Sequence, residues 1–447
     1  MCLSIPKFYK DVLLNISSLL SFMLYSGRLS LRQLGQQILT DQRNKSNVCR
    51  VFNSPEFNTQ KSFLQLFNLF FHQQSIPFSR QWLVLIDTTA KKTKRKWHRR
   101  KGNKKKGGKR RLRHRTSNCV KYKDKGKTGN GSQANLWVMG LLITDTGVRL
   151  PLPRRSYHTK EYAKKPWPGR HGLKYRSQID IMVEMLSRLP ISENVELIVI
   201  ADSFFESKKL DTICKARGFT YITAVDSHRC LADENGKNNG QHVVSLFDSL
   251  LPNAFEKITL NRNNEQFSSY RRSSRHKKQR TYYASKKILN IAKLGKRCVV
   301  FSKKLKVNGR SKSFSNKVLL TNNDQLTAKQ IIELYELRWE IELYFKELKS
   351  YLHFTEYNFE DFKACERWVD IVLITFLFLE YVRLQKLRHS KSSKEKSYLM
   401  SARTPQMIEV IRAEVNKENV FYLQESMKSP EGRRHLIKTL SKFKLVA

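Results

Sequence analysis

No two of the seven cysteines, Cys2, Cys49, Cys119, Cys214, Cys230, Cys298 and Cys365, lie close enough for a CxxC pair, and their number is odd. A disulfide framework and a zinc knuckle are therefore not expected, and the thiols read as reduced in an intracellular protein. The eleven histidines show no HxxxH or HxH spacing, which argues against an imidazole metal cluster. Long apolar runs are missing as well. The longest, Ile371 to Leu379, is interrupted by Thr375 and flanked by Asp370 and Glu380, too short to span a bilayer. Near the start, Leu13, Ile16, Leu20 and Met23 have the spacing of an amphipathic helix, and no small-residue cleavage site follows, so secretion is not expected. Acid is scarce overall: 38 Asp and Glu face 85 Lys and Arg, a net charge of +47 over 447 residues. A compact protein this basic repels itself unless a polyanion is near, and nucleic acid is the expected partner. A hydrophobic fraction of 40% allows more than one core and sets the chain apart from small ribosomal or histone-like proteins.

What is present changes character along the chain. Residues 1–80 read as a helical, DNA-binding N-terminal domain, with a capping-box pattern at Ser30 and Gln33, exposed Arg32, Arg43, Lys45 and Arg50, and a helix through "TQKSFLQLFNLFF". A helical packing domain is the alternative. "QWLVLIDTTA" is a β-type apolar run expected to end in Asp87. It leads into a basic loop, placed at 91–130, in which Lys91, Lys92, Arg95, Arg99 and Arg100 are candidate DNA contacts. A hairpin, a helix, the strand "NVELIVIADSFF" ending in Asp202, a helix closing at Gly218 and the strand "FTYITAV" complete a first core segment, 81–225. Residues 226–320 read as a mostly β insertion, with "HVVSLF", "RTYYAS", "RCVVFS" and "SNKVLLT" as its β-like pieces. A second core segment, 321–388, opens with a capping box at Thr327 and Gln330, and a charged helical tail, 389–447, follows. This order implies an α/β fold with a mixed sheet.

The chemistry concentrates on "YELRWEIELYFKELKSYL", residues 335–352. At about 100° per residue, Leu337, Ile341, Phe345 and Leu348 form one apolar stripe, while Glu336, Glu340 and Glu347 fall on the face expected to be solvated. Tyr335, Arg338, Glu342 and Lys349 line the margin of the apolar stripe. From periodicity alone a surface salt-bridge ladder explains that margin. The two aspartates offer another reading, because ligands of open α/β sheets bind at the carboxyl ends of strands. Asp87, Asp202 and Glu342 brought together would repel unless cations were bound, and hard oxygen ligands favour Mg2+ or Mn2+, two ions serving a phosphodiester reaction. Arg338 and Lys349 would then follow a DNA backbone, with Tyr335 adding a hydroxyl or a ring.

The spacing Tyr335-x2-Arg338-x3-Glu342-x6-Lys349 resembles the signature of one branch of bacterial insertion-sequence transposases, the DDE type with an RNase H-like core. "LVLIDTT", "IVIADSFF", "VLLTN" and the β-rich insertion also look like that branch, and the resemblance covers roughly residues 80–385. It implies an RNase H-like mixed-sheet core in which Asp87, Asp202 and Glu342 hold the metal. Tyr335, Arg338 and Lys349 would bind the transposon end. The implied reaction is cleavage at terminal inverted repeats, then joining to target DNA, within a homodimeric DNA complex in the bacterial cytoplasm and without a membrane. Some relatives place a tryptophan just before the "LLT" strand, where this chain has Lys317. The alternatives are a related nuclease without strand transfer and a non-catalytic DNA-binding derivative.

Other constellations are weaker. Ser203, His228 and Asp226 lack nucleophile-elbow glycines, "KGNKKKGGK" lacks the GxxxxGK[ST] pattern, Asp145 reads as a turn residue, and Trp339 and Tyr344 read as packing. Removing Lys91 to Arg115 should weaken DNA binding and flatten its salt dependence while sparing divalent-metal binding. An unchanged salt slope in a fluorescence titration would assign the block another role.

Overall fold

The computed structural model describes residues 52, 58–72, 80–92, 120–122, 132–164, 175–191, 194–260, 280–308, 311–357, 359 and 361–434. Most of the expected N-terminal domain, including Ser30, Gln33, Arg32, Arg43, Lys45 and Arg50, lies outside them, as do Arg95, Arg99 and Arg100. Strands β1 (Gln81–Lys92), β2 (Val120–Tyr122), β3 (Ser132–Thr144), β4 (Arg149–Pro151), β5 (Arg155–Ser156), β6 (Glu196–Ala201) and β7 (Thr220–Ala224) come first. They are followed by β8 (Cys230–Ala232), β9 (Asn238–His242), β10 (Glu256–Leu260), β11 (Arg280–Ile291), β12 (Gly295–Asn308) and β13 (Ser311–Thr321). The longer helices are α1 (Thr59–His72), α2 (Gln178–Ser187), α3 (Lys208–Arg217), α4 (Ala328–Glu336), α5 (Trp339–Ser350), α6 (Phe362–His389), α7 (Ser393–Ser401) and α8 (Thr404–Lys428).

The strands form a 13-stranded mixed sheet, with the order β2-β3-β1-β6-β7-β13-β12-β11-β8-β9 along its main path. β1 pairs antiparallel with β3 and parallel with β6, and β6 pairs parallel with β7. Leu197 to Ala201 of β6 are all buried, as a continuous apolar run flanked by two parallel neighbours requires. β13 pairs antiparallel with β7, so the sheet runs without a break into the segment 226–320. "RTYYAS", "RCVVFS" and "SNKVLLT" lie in β11, β12 and β13 as expected. "HVVSLF" differs: after His242 closes β9 it turns into a short helix, Leu246–Ser249, because local i→i−3 bonds from Leu246 and Phe247 satisfy the backbone.

α6 is apolar nearly all round at its centre and is buried there, a core helix. It packs on α1, β4, α7 and α8. Its contact with α1 is polar as well as apolar. Arg154 meets Asp370 of α6 through Nε at 2.7 Å and Nη2 at 2.9 Å, and Thr59 of α1 donates to the same carboxylate at 2.7 Å. Asp370 is 1% exposed, so Arg154 is what makes its ionised form tolerable there. Among the described residues no helix is long and apolar enough to cross a membrane. In urea unfolding, Arg154→Met should lose about 3–5 kcal/mol, since it strands a buried carboxylate. Thr59→Val should lose only about 1 kcal/mol, the net worth of one hydrogen bond.

Candidate active site

β1 does not end at Asp87. It runs on to Lys92 because β3 keeps pairing with it as far as Lys92 opposite Ala134. What ends at Asp87 is the parallel neighbour, whose last pair is Ile86 with Ala201. Asp87 and Asp202 are the next residues on these adjacent chains, so the register sets them side by side where β6 leaves the sheet. Each carboxylate is held locally in the same way. Asp87 Oδ1 accepts from the Thr88 amide at 2.7 Å, and Asp202 Oδ1 accepts from the Ser203 amide at 2.7 Å. Asp202 thereby caps the 3-10 turn Ser203–Phe205.

Glu342 arrives on α5, which packs against β1. The helix that starts at the Thr327 capping box ends at Glu336, and the stretch 335–352 is divided between it and α5. Its capping box is present, with Thr327 and Gln330 bonded reciprocally. At the junction, however, the amides of Leu337, Arg338 and Glu340 reach back three residues instead of four. That overwound turn changes the angular position of everything after it relative to a uniform wheel. Leu337, Ile341, Phe345 and Leu348 are buried as the apolar stripe predicts. The face expected to be solvated is not. Glu340 and Glu347 are buried, and Glu336 is bonded to Arg280 and Tyr282 of β11 and to Lys304 of β12, the last at 2.9 Å. Conversely Trp339, read as packing, is 49% exposed, while Tyr344 is buried.

Arg338 stands between two of the three acids. Its Nη2 donates to Glu342 Oε1 at 2.5 Å and its Nη1 lies 3.7 Å from Asp87 Oδ2. Burial raises the Asp87 carboxyl above the usual range; Arg338 pulls it back, and Asp202 and Glu342 push it further up. The three carboxylates therefore share one electrostatic site. Burial likewise raises the Tyr335 hydroxyl to about 12, against the pull of Arg338. Tyr335 is buried rather than displayed, and its ring receives the ammonium of Lys317 at 4.9 Å. Burial and Arg338 lower Lys317, while Asp202 and Glu342 draw it toward its charged form. Lys317 is thus a cation of the site that the helix motif does not contain; its only sequence signal is its place just before "VLLT". Tyr335, Arg338, Trp339, Lys304, Lys317 and Arg403 help to line a cavity of about 310 Å3.

Lys349 extends the strip at the far end of α5, with its ammonium 6.0 Å from the Phe345 ring. Lys91 is buried against Tyr357, 3.5 Å from the ring centroid, and Lys92 is exposed. Both belong to β1, so a deletion of the basic block that spares the strand begins at residue 93.

Among the described residues no three acidic, histidine or cysteine side chains are grouped as a preformed metal site. The donor chemistry nonetheless fits a hard divalent ion: Asp202 and Glu342 push up the proton affinity of Asp87, and the guanidinium of Arg338 reaches both Asp87 and Glu342.

Residues 171–378 match the family model of the transposase DDE domain. The match includes Asp202, Tyr335, Arg338, Glu342 and Lys349 and begins after Asp87. No curated protein matches the chain.

Because folding raises the Asp87 pKa, the folded state binds that proton more tightly than the unfolded chain, and the ionised group costs stability above its ordinary range. Without metal, Asp87→Asn should unfold at the same temperature as wild type or higher. Mg2+ at a hundred times its dissociation constant should stabilise wild type by about 2.7 kcal/mol and leave Asp87→Asn unmoved. Equal shifts in both proteins, measured by calorimetry, would remove Asp87 from the metal site.

Proposed function

From the premise that this chain carries a transposase DDE domain, we propose that it is an insertion-sequence transposase that cuts transposon ends and joins them to target DNA. The observation that supports the reading best is the meeting of Asp87, Asp202 and Glu342. They come from two adjacent parallel strands and one helix into a single electrostatic site bridged by Arg338. The order around β1, with β3 antiparallel to it and β6 and β7 parallel, agrees with an RNase H-like core.

In this reading Asp87, Asp202 and Glu342 hold Mg2+ or Mn2+, two ions in all. When bound, the metal supplies activation of the attacking oxygen and neutralisation of the leaving oxygen of a phosphodiester. Arg338 orients the scissile phosphate through its two-pronged guanidinium, which on DNA binding would exchange carboxylate partners for phosphate oxygens. Lys349 sits seven residues beyond Glu342, about 10 Å along the helix axis, and neutralises a phosphate further along the backbone. Tyr335, buried beside Arg338, holds that arginine's surroundings dry rather than stacking on a base. The partners are double-stranded DNA, both terminal inverted repeats and target, and a second copy of the chain in the DNA complex. The protein works in the bacterial cytoplasm, on the nucleoid.

The test uses a supercoiled plasmid carrying the DNA that flanks the gene, with Mg2+ or EDTA. Wild type should excise the segment between two inverted repeats and yield joined products, only with metal. Glu342→Ala and Asp202→Ala should bind the repeats and lower cleavage by several orders of magnitude. Cleavage without joined DNA would make the protein a nuclease. Wild-type rates in folded triad variants would refute the assignment.

A further inference from the structure

We infer that Arg403 is a positioning residue for Glu342, and that the segment around it, outside the matched domain, is a working part of the active site. This rests on the reading of Glu342 as a metal-binding carboxylate.

The inference starts from two glutamates on the wrong face. Glu340 and Glu347 flank Glu342 on α5 and were expected in water, yet they are 6% and 5% exposed. Burying two carboxylates on one helix face is costly unless each is paired and hydrogen-bonded. Arg403, just before α8, meets both with one guanidinium. Its Nη2 donates to Glu340 Oε2 at 2.6 Å and its Nη1 to Glu347 Oε1 at 3.0 Å. Thr404 Oγ1 donates to the other oxygen of Glu347 at 2.6 Å, where Arg149 Nη1 also donates at 3.3 Å. Glu340 and Glu347 are two turns apart, so rotating α5 by one residue, about 100°, would break both contacts at once.

The apolar side of α5 does not offer that precision. Ile341, Phe345 and Leu348 hold the helix to the core, but apolar contact tolerates small slides and rotations, while a charged fork has one good geometry. The clamp is itself anchored. Arg149 reaches Glu380 of α6, with Nη2 and Oε2 3.6 Å apart and its own amide donating to Oε1 at 2.8 Å. Arg383 pairs with Glu380 and donates to the carbonyls of Leu399 at 3.2 Å and Gly147 at 2.6 Å. A path of buried ion pairs thus ties the helix of Glu342 to β4, to α6 and to the end of α7. The matched domain ends at 378, before Glu380, Arg383, Arg403 and Thr404.

The test compares full-length wild type with Arg403→Gln, Arg403→Lys and the double variant Glu340→Gln/Arg403→Gln. Two readouts are used: amide hydrogen exchange across residues 339–350, and Mn2+ binding by titration calorimetry. Arg403→Gln should speed exchange in α5 by about tenfold or more, leave β6 unchanged, and weaken Mn2+ binding about 10- to 100-fold, the range seen when a group that orients a metal ligand is lost. Arg403→Lys should recover part of both, since an ammonium can meet one carboxylate but not fork to two. If Arg403→Gln does not fold, the double variant leaves no unpaired carboxylate at position 340 and should fold while binding Mn2+ as weakly. A folded single or double variant with wild-type Mn2+ affinity and wild-type exchange in α5 overturns the inference. If wild type itself binds no Mn2+, the metal reading of Glu342 fails, and the exchange of α5 alone decides the clamp.

Discussion

Three arginines and three glutamates pair behind the helix that carries Glu342: Arg149, Arg383 and the half-buried Arg403 with Glu340, Glu347 and Glu380, all but Arg403 buried. The formal charges cancel, so the network is tolerable as a whole and in no smaller part. Burial pushes the Glu347 carboxyl up, but Arg149 and Arg403 outweigh it and hold it below the usual range; Glu380 is held down likewise by Arg383 and Arg149. Glu340 stays raised, since burial there exceeds what Arg403 returns. The architecture around α5 follows from this constraint. α6 supplies Glu380 and Arg383, the turn into α8 supplies Arg403 and Thr404, and β4 supplies Arg149.

The carboxylates of the candidate site follow another logic. Asp87 and Glu342 share one guanidinium, that of Arg338. The parallel register forces the two aspartates together, and Arg338 serves more than one acid at once. One helix therefore carries both arrangements: glutamates at 340 and 347 paired within the network behind it, and one at 342 whose arginine also reaches Asp87.

The two aspartates were legible because each closes an apolar run, and a carboxylate at such a place has no reason to be in the core. The apolar stripe of α5 was legible for the same reason. The helix break at Leu337 and Arg338 was not, since i→i−3 bonding leaves no trace in residue type. Nor was the burial of Glu340 and Glu347, whose partners at 149, 403 and 404 are far away in sequence; a helical wheel sorts side chains by polarity and takes a charged face for a wet one. β1 was cut short at Asp87 because polar Thr88, Thr89 and Lys91 look like a loop, whereas β3 pairs with them as strand. Lys317 entered the site through the fold of β13 against α4, which no local pattern announces.

The strand pairing around Ala134 has a consequence for the basic segment. Lys92 at the end of β1 and Val120 at the start of β2 pair with this same residue of β3 from its two sides. Lys92 and Val120 are therefore held about 10 Å apart. Lys92 lies five residues, about 17 Å of strand, from Asp87. The two strand ends that frame this segment are thus held within one strand's length of the candidate carboxylates by backbone hydrogen bonds alone, whatever the side chains between them.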